Sequence, residues 1–273
     1  MDNFFVLILI GFIIGTFGTL IGAGGGFILV PLLILTHPKM PPNIITAISI
    51  AVVAVNAISG SIAYSRAKRI DYKAGILFGL FTIPGSIAGV FLVKYIPIHI
   101  FNLIFGALLV CLAIYLFIKT NKRSGAPARK ISNNSGMVTH SITDRSGTIF
   151  SYNYNQKHGI IISIIVGFLS PLLGIGGGII HVPAMVQWLQ FPVYIATATS
   201  HFILAIMSTV SVIVHIFQGS YNDSHVLKMV IGLSLGVIPG AQLGAYISHK
   251  IQTHIIIKIL AVCLAIVGLR ILL

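Results

Sequence analysis

Long apolar runs alternate with short polar stretches along the chain. A helix needs about 20 apolar residues to cross the hydrocarbon core of a bilayer. Six of the eight runs have roughly that length and predict ordinary spanning helices. The first and fifth runs are too long for one straight crossing, and glycines interrupt both. The pattern predicts an all-α integral membrane protein with apolar runs at 4–35, 44–64, 74–93, 98–118, 159–190, 194–217, 227–248 and 252–273.

The two interrupted runs resemble each other closely. Residues 22–31 read Gly-Ala-Gly-Gly-Gly-Phe-Ile-Leu-Val-Pro, and residues 174–183 read Gly-Ile-Gly-Gly-Gly-Ile-Ile-His-Val-Pro. The chain is therefore predicted to be an internal duplication, with one transmembrane repeat at 1–118 and the other at 159–273. Three further pairs of segments match in the same order: 46–49 with 197–200, 83–85 with 238–240, and 110–114 with 262–266.

A basic segment, 119–158, separates the two repeats. It carries seven Lys and Arg residues, several Ser and Asn, and no apolar run. Such a composition buries little apolar surface, which predicts a solvated and flexible linker. The loop after the second run is also basic, with Arg66, Lys68, Arg69 and Lys73. Because Lys and Arg accumulate in cytoplasmic loops, both segments are predicted to face the cytoplasm.

The composition agrees with a membrane protein. Charged residues make up 8% of the chain and hydrophobic residues 56%, with a mean hydropathy of +1.02. A soluble chain typically carries about 25% charged residues. The formal net charge is +13, but the basic residues are not interleaved with aromatics as in a nucleic-acid-binding surface. The charge excess therefore predicts membrane topology and attraction to anionic lipid, and no nucleic-acid partner.

Acidic residues are scarce and badly placed for membrane chemistry. Asp2, Asp71, Asp144 and Asp223 lie at the edges of apolar runs or in the polar centre of the chain. This excludes a transporter built on a relay of intramembrane carboxylates, and it argues against calcium or magnesium sites. The two cysteines have no metal-binding spacing, so neither a metal nor a cofactor is predicted.

Two topologies are open for each interrupted run. If each run crosses the membrane once, every half has four crossings and the halves lie parallel. If each run is a re-entrant hairpin, every half has three crossings and the halves are inverted. Counts of Lys and Arg on the two sides do not separate these topologies. Residues 1–5 contain no Lys or Arg, so the N-terminus has no cytoplasmic preference, which favours inverted repeats.

The glycine interruptions are the first candidate substrate site. Glycine and proline interrupt a helix, and irregular backbone at membrane depth is tolerated where it is buried in protein or lines a wet cavity. Paired broken helices in duplicated folds commonly hold the substrate between them, and freed N–H groups attract anions. The alternative is tight helix packing through small residues. The candidate substrate-binding residues here are Gly24, Gly25, Gly26, Gly176, Gly177 and Gly178.

The helix after each interruption carries a polar stripe at helical spacing. Both stripes are expected to face inward and line a pathway, although hydrogen bonding between helices is the alternative. His201 and His215 are the candidate proton-coupling groups, since imidazole titrates near neutral pH, although a neutral hydrogen-bonding histidine is the alternative. The stripe residues taken as substrate-binding candidates are Thr46, Ser49, Asn56, Thr197, Ser200 and His201.

The doubled GxGGGxxxxP interruptions, the Thr-Ala-x-Ser helices, the Pro-Gly turns and the basic central loop resemble the sulfite exporter TauE/SafE family. The resemblance covers both repeats and leaves out the central linker. It implies movement of sulfite, thiosulfate or an organosulfonate such as sulfoacetate across the bacterial inner membrane, coupled to protons. It also places the family's glycine breaks on 24–26 and 176–178, and its polar helices at Thr46, Ser49, Thr197 and Ser200.

These observations favour a secondary transporter of a small anion with alternating access. A passive anion channel with the same lining remains an alternative. A membrane-embedded enzyme is less favoured, because the chain has no GxSxG, no HExxH and no carboxylate pair. A non-transporting partner subunit would not need two polar stripes. The sequence is compatible with a homo-oligomer and does not determine which anion moves or in which direction.

Overall fold

A computed structural model describes residues 3–120, 137–248 and 253–272 of the chain. Its elements follow the predicted order, with five helices on each side of a short β-hairpin. Seven of the described helices, α1, α3, α4, α5, α6, α8 and α9, are long and apolar enough to cross a membrane. The elements are α1 (Phe4–Ile21), α2 (Gly26–Thr36), α3 (Pro42–Arg66), α4 (Tyr72–Val93), α5 (Ile98–Thr120), β1 (Met137–Thr143), β2 (Ile149–Asn155), α6 (Gln156–Leu173), α7 (Gly178–Gln187), α8 (Val193–Phe217), α9 (Ser224–Ile247) and α10 (Thr253–Leu272).

The two long apolar runs are broken where the sequence predicts. α1 ends because Gly22 takes a left-handed φ of 81°, and α6 ends at Gly174 with a φ of 69°. The helices that resume after each break, α2 and α7, have 11 and 10 residues. At 1.5 Å per residue each is roughly half as long as a bilayer's hydrocarbon core. Each long run is therefore one long helix followed by one half-length helix.

Helices of one half pack chiefly on helices of the other half. α1 lies along α9, α6 along α4, α3 beside α8 and α5 beside α10. Glycines at every fourth position of α9 allow its close contact with α1, because a side chain there would collide with α1 backbone. This is the small-residue packing typical of membrane helices. The glycines and the α1 carbonyls that they face are Gly236 with Ile8, Gly240 with Phe12 and Gly244 with Thr16.

Corresponding helices of the two halves run in opposite directions. Val53 and Ala57 in α3 share a cluster with Leu204 and Met207 in α8, whereas Tyr64, further along α3, contacts the earlier His201. α3 and α8 are therefore antiparallel. Parallel repeats would place corresponding helices in the same direction across the membrane. The observed pairing favours inverted repeats.

The outer ends of the broken helices support the same arrangement. His37, just after α2, contacts His225 at the start of α9, and α1 runs parallel to α9. The outer ends of α1 and α2 thus lie together. The outer ends of α6 and α7 lie at the opposite end, where Phe191 packs on Tyr152 of the β-hairpin at 4.5 Å. We call this the hairpin end of the molecule.

An ordered β-hairpin lies in the segment that the sequence predicts to be a flexible linker. β1 and β2 pair antiparallel, from Met137 opposite Asn155 to Thr143 opposite Ile149. Alternate side chains of these strands face the helices, so the segment buries aromatic surface without containing an apolar run. Of the predicted linker 119–158, residues 121–136 lie outside the described residues, and the prediction is not tested there.

The outer surface of the helices is apolar, as a lipid-facing surface must be. Large hydrophobic side chains such as Phe5, Leu80, Leu103 and Phe217 are well exposed along the spanning helices. A soluble protein rarely exposes extended apolar surface of this kind. The all-α integral membrane fold predicted from the sequence is thus confirmed, apart from the small hairpin.

Candidate substrate site at the crossing of the broken helices

The two glycine breaks meet each other in the centre of the molecule. Gly26, which opens α2, lies so close to the Gly174 carbonyl that any side chain would collide with it. Gly178, which opens α7, approaches the Gly22 carbonyl in the same way. Gly24 contacts both Val53 and Leu204, which lie near the middle of α3 and α8. The predicted glycine residues are therefore brought together at mid-length of the two central helices.

Serine hydroxyls tie each break to the opposite half. Ser49 of α3 donates a hydrogen bond of 2.6 Å to the Gly174 carbonyl, and Ser200 of α8 donates one of 3.4 Å to the Gly22 carbonyl. The carbonyl groups freed by the helix breaks are thereby satisfied. Ser49 and Ser200 lie at the breaks as predicted, but their hydroxyl protons are already used between the halves.

The predicted threonines also lie at this crossing. Thr46 packs against Gly174 and Thr197 against Gly22. Their hydroxyls donate to backbone carbonyls of their own helical segments, at Asn43 and Val193. Both threonines thus contact the breaks mainly through their carbon atoms.

Several N–H groups near the breaks also have internal partners. Ala23 and Gly24 both donate to the Gly18 carbonyl, at 2.8 and 3.1 Å, and the Gly177 N–H donates to the Ser170 hydroxyl. An anion at the breaks would have to replace these bonds. Two side chains of the polar stripes, Asn56 and His201, offer further hydrogen-bonding capacity close to the breaks.

Asn56 and His201 are fully buried and have unused polar atoms. Asn56 accepts a 2.8 Å hydrogen bond from Thr19, but its Nδ2 has no partner among the described residues. Neither ring nitrogen of His201 forms a hydrogen bond of good geometry to a described residue, although the Gly22 carbonyl lies near the ring. Both side chains border the contact between Thr19 and Gly60. We call Thr19, Asn56, Gly60 and His201 the Asn56–His201 cluster.

The structure adds residues that were not among the predicted substrate-binding residues, although Tyr64 was predicted to lie on the polar stripe of α3. Tyr64 stands edge-on to the His201 ring, with centroids 5.8 Å apart, and donates its hydroxyl to the Thr19 carbonyl. Gln242 of α9 donates to both the carbonyl and the hydroxyl of Ser59, at 2.7 and 3.0 Å. Thr19 precedes the glycine break by three residues, but its contact with Asn56 depends on how α1 packs on α3 and has no pattern in the sequence.

His215, the second proton-coupling candidate, does not join the cluster. It lies on the buried face of the same helix, but it is 14 residues from His201, which is about 21 Å along an α-helix. Its Nδ1 lies 3.2 Å from the Ser220 hydroxyl and its ring stands against Tyr221, in the loop that follows α8. A proton role for His215 would therefore be separate from the central site.

A cavity of about 500 Å³ opens at the hairpin end. Its walls are the last turn of α3, the loop that follows, the β-turn of the hairpin and α9. Tyr64 and Gln242 form its inner wall. Tyr64 also contacts His201, so this side chain lies between the cavity and the Asn56–His201 cluster.

Asp71 fixes the hairpin against the helices. Its carboxylate accepts the Ala74 N–H at the start of α4, the Tyr152 hydroxyl at 2.6 Å, and lies 2.5 Å from His140 Nδ1. Its own N–H donates to Thr199, which is next to Ser200. Burial and the Asp71 charge raise the pKa of Tyr154, a neighbouring strand residue, to about 12. Asp71 and Thr199 thus connect the hairpin to α8, the helix that carries His201.

The turn of the hairpin has its own stabilising hydrogen bonds. Asp144 accepts the Ser146 hydroxyl at 2.5 Å and the Thr148 N–H at 3.1 Å. The Ser146 hydroxyl and these N–H groups hold the pKa of the Asp144 carboxyl below its ordinary value. Arg145 donates its N–H to the Ala67 carbonyl in the α3–α4 loop. Within the described ranges there is no group of three or more side chains suited to a metal ion.

Comparisons with known proteins place this arrangement among membrane transporters. A family model described as sulfite exporter TauE/SafE matches residues 7–271. The probable membrane transporter protein YunE of Bacillus subtilis (strain 168) is 33% identical over 272 residues, covering 97% of this chain and 96% of that protein. The probable membrane transporter protein MJ0441 of Methanocaldococcus jannaschii is 29% identical, covering 98% and 95%. No solved structure matches the chain.

Proposed function

Because this chain belongs to the sulfite exporter TauE/SafE family and is a multi-pass membrane transporter, we propose that it is a secondary transporter of a small anion. The substrate in this proposal is sulfite, thiosulfate or an organosulfonate such as sulfoacetate, and its movement is coupled to protons. The hairpin end faces the cytoplasm, in agreement with the positive-inside rule, since Arg66, Lys68 and Arg145 lie there.

The unpartnered polar atoms of the Asn56–His201 cluster carry this proposal. A buried donor without a hydrogen-bond partner costs about 1–3 kcal/mol of stability. An anion between Asn56 and His201 would accept from the Asn56 amide and from an imidazole N–H, and would remove that cost. The anions that the family resemblance implies carry several oxygen atoms, which accept several hydrogen bonds at once.

We propose alternating access because the helices of each half pack mainly on the helices of the other half. The bonds from Ser49 to Gly174 and from Ser200 to Gly22 join the halves at their crossing. In our proposal these contacts loosen as one half rocks against the other, and the anion is exposed to each side in turn. Tyr64 closes the route from the hairpin end in the conformation described here.

His201 is the proton-sensitive group in this mechanism. A protonated imidazole has two N–H donors and a positive charge, so it binds an anion more tightly than the neutral ring does. Binding of the anion and of a proton are therefore linked at one site. His201 has no carboxylate partner among the described residues, so the substrate itself is the counter-ion.

Flux through purified protein in proteoliposomes tests the proposal. Labelled sulfite, thiosulfate and sulfoacetate are offered with and without an imposed pH gradient. We expect one of them to accumulate above its equilibrium level when the gradient is present. We expect His201→Gln to reduce that accumulation by about tenfold, a loss of one charge-assisted hydrogen bond, and to flatten its pH dependence.

A second variant separates loss of the site from loss of the fold. Asn56→Leu removes a buried donor that has no partner, but it also leaves the Thr19 hydroxyl without its acceptor, so the two effects on stability should largely offset each other while transport falls. Ser208→Ala is the matched control, because Ser208 is buried on α8 and bonds only to its own helix at Leu204. No flux of any of the three anions would contradict the substrate class. Flux that only equilibrates would indicate a channel or a uniporter instead of a proton-coupled carrier.

A further inference from the structure

Arginines converge on the cavity at the hairpin end. Arg66 lies in the last turn of α3, Arg69 in the loop that follows and Arg145 at the tip of the hairpin, and all three line the cavity. Among the described residues the salt bridges are confined to Arg69 with Asp144 and His140 with Asp71. Arg66 and Arg145 thus have no acidic partner there. The cavity carries three arginines against the single carboxylate of Asp144.

The Arg69 guanidinium is held in place, but not all of its N–H donors form hydrogen bonds. Its guanidinium lies over the Tyr194 ring, 5.5 Å from the centroid, which fixes the plane of the group. Its contact with Asp144 Oδ2 is long, at 3.4 Å, while the three shorter bonds from the hairpin turn go to Oδ1 of the same carboxylate. The Arg69 Nε is buried and has no partner among the described residues. A positioned guanidinium with an unused donor can bind a further acceptor.

Membrane topology explains why this end is basic, but not this arrangement. The positive-inside rule requires only that arginines lie on one side, where each would be solvated separately. Arg66 also suits the negative end of the α3 dipole. Neither effect brings residues 66, 69 and 145 to one open cavity, and neither buries an unpaired Nε. The hairpin itself carries Arg145 there, through the bond between the Arg145 N–H and the Ala67 carbonyl.

We propose that this cavity is an anion-binding site, distinct from the Asn56–His201 cluster, that holds one oxyanion group between Arg66, Arg69 and Arg145. Guanidinium groups bind sulfonate, sulfite and phosphate oxygens through paired N–H donors, which a lysine does not offer. The volume of about 500 Å³ accommodates such a group with its water, or the phosphate of an anionic lipid. If the proposed transport function holds, Tyr64 separates this outer site from the central one, and the anion occupies them in succession.

Equilibrium binding of ³⁵S-thiosulfate to the full-length protein in nanodiscs tests the site without requiring transport. The experiment uses the Asn56→Leu background, in which the central site is impaired. In phosphatidylcholine discs we expect thiosulfate to bind this background, and Arg66→Gln with Arg145→Gln to weaken binding by about tenfold or more, since charge-assisted bonds are lost. Lys94→Gln with Arg270→Gln is the charge-matched control, because both residues lie outside the cavity lining, after α4 and near the end of α10.

A lipid arm identifies the occupant. If phosphatidylglycerol in the discs blocks thiosulfate binding, and native mass spectrometry finds that lipid retained except in the double arginine variant, the site is confirmed with a lipid phosphate in it. Equal thiosulfate binding with and without the two arginines, or no binding together with no retained lipid, overturns the site. Arginine-dependent binding in a protein without flux would contradict the transport proposal alone. Flux with arginine-independent binding would contradict the cavity site alone.

Discussion

Glycines 26 and 178 show at the scale of single residues why the breaks need glycine. Neither has a positive φ, so backbone strain does not select glycine at these two positions. Each instead faces a carbonyl of the other half, from Gly174 or Gly22, which leaves no room for a methyl group. The sequence predicted the breaks correctly because a run of glycines is a local feature. It did not reveal that the two runs touch.

Replacing these glycines by alanine should destabilise the protein. We expect Gly26→Ala and Gly178→Ala each to cost about 1–3 kcal/mol or more, because backbone must move to admit the methyl group. The thermal unfolding midpoint in detergent measures this effect. Gly79→Ala is the control, since its methyl would meet only the flexible end of Ile206, at 2.6 Å from Cδ1. Unfolding of all three variants together with the wild type would contradict the close contact between the breaks.

The polar stripe illustrates what residue patterns can and cannot predict. Helical spacing placed Asn56 and His201 on inward faces, and both are fully buried. Spacing alone could not distinguish them from Ser49 and Ser200, whose hydroxyls are used between the halves. That difference depends on which carbonyl lies opposite each side chain. It is set by packing between segments more than a hundred residues apart.

The β-hairpin is the element that sequence analysis missed. Its strands do alternate, with Val138, His140 and Ile142 in one and Phe150, Tyr152 and Tyr154 in the other. Such alternation predicts strands, and residues 144–147, which end in glycine, suit the turn. The basic and polar composition of the surrounding segment outweighed this short pattern. The hairpin also gains its stability from helices outside it, chiefly through Asp71.

Docking of the hairpin should be visible in the titration of Tyr154. The pKa of about 12 exceeds the ordinary value of about 10 for tyrosine. The folded hairpin therefore keeps a proton that an undocked hairpin releases. This contribution to stability is present below about pH 10 and is lost as the pH rises through about 12. The near-ultraviolet absorbance of tyrosinate measures this titration. A step near pH 12 should be present in the wild type and absent from Tyr154→Phe.

Asp71→Asn provides the control for this titration. Removing the Asp71 charge, and with it part of the contact that docks the hairpin, should move the Tyr154 step to lower pH. If Tyr154→Phe instead removes a step at about pH 10, the ordinary value for tyrosine, the hairpin is undocked in solution.

At the scale of the whole molecule, the corresponding helices α3 and α8 run antiparallel, which favours inverted repeats. Charge counts alone could not distinguish parallel from inverted repeats. The contacts of His37 with His225 and of Phe191 with Tyr152 place corresponding loops at opposite ends. These are contacts between distant segments, which a single sequence does not encode in a readable pattern. The number, order and breaks of the helices were predictable because each is a local property.

Cysteine labelling tests the inversion directly. In a background of Cys111→Ser and Cys263→Ser, Lys39→Cys and Gln187→Cys introduce thiols at exposed positions just after α2 and at the end of α7. Inverted repeats predict that a membrane-impermeant maleimide reaches the first from outside the cell and the second only from inside. Labelling of both from the same side would establish parallel repeats and contradict the alternating-access mechanism proposed here.

Because helices of one half pack mainly on helices of the other, the order of synthesis limits when the fold can form. α1 leaves the ribosome before the other described helices, yet its main partner, α9, is synthesised about 220 residues later, which takes about 10–45 s at 5–20 residues per second. Throughout that interval the glycine-facing surface of α1 has no native partner in the chain. The first half must therefore wait in the bilayer, or beside the insertion machinery, until translation supplies the helix that completes it.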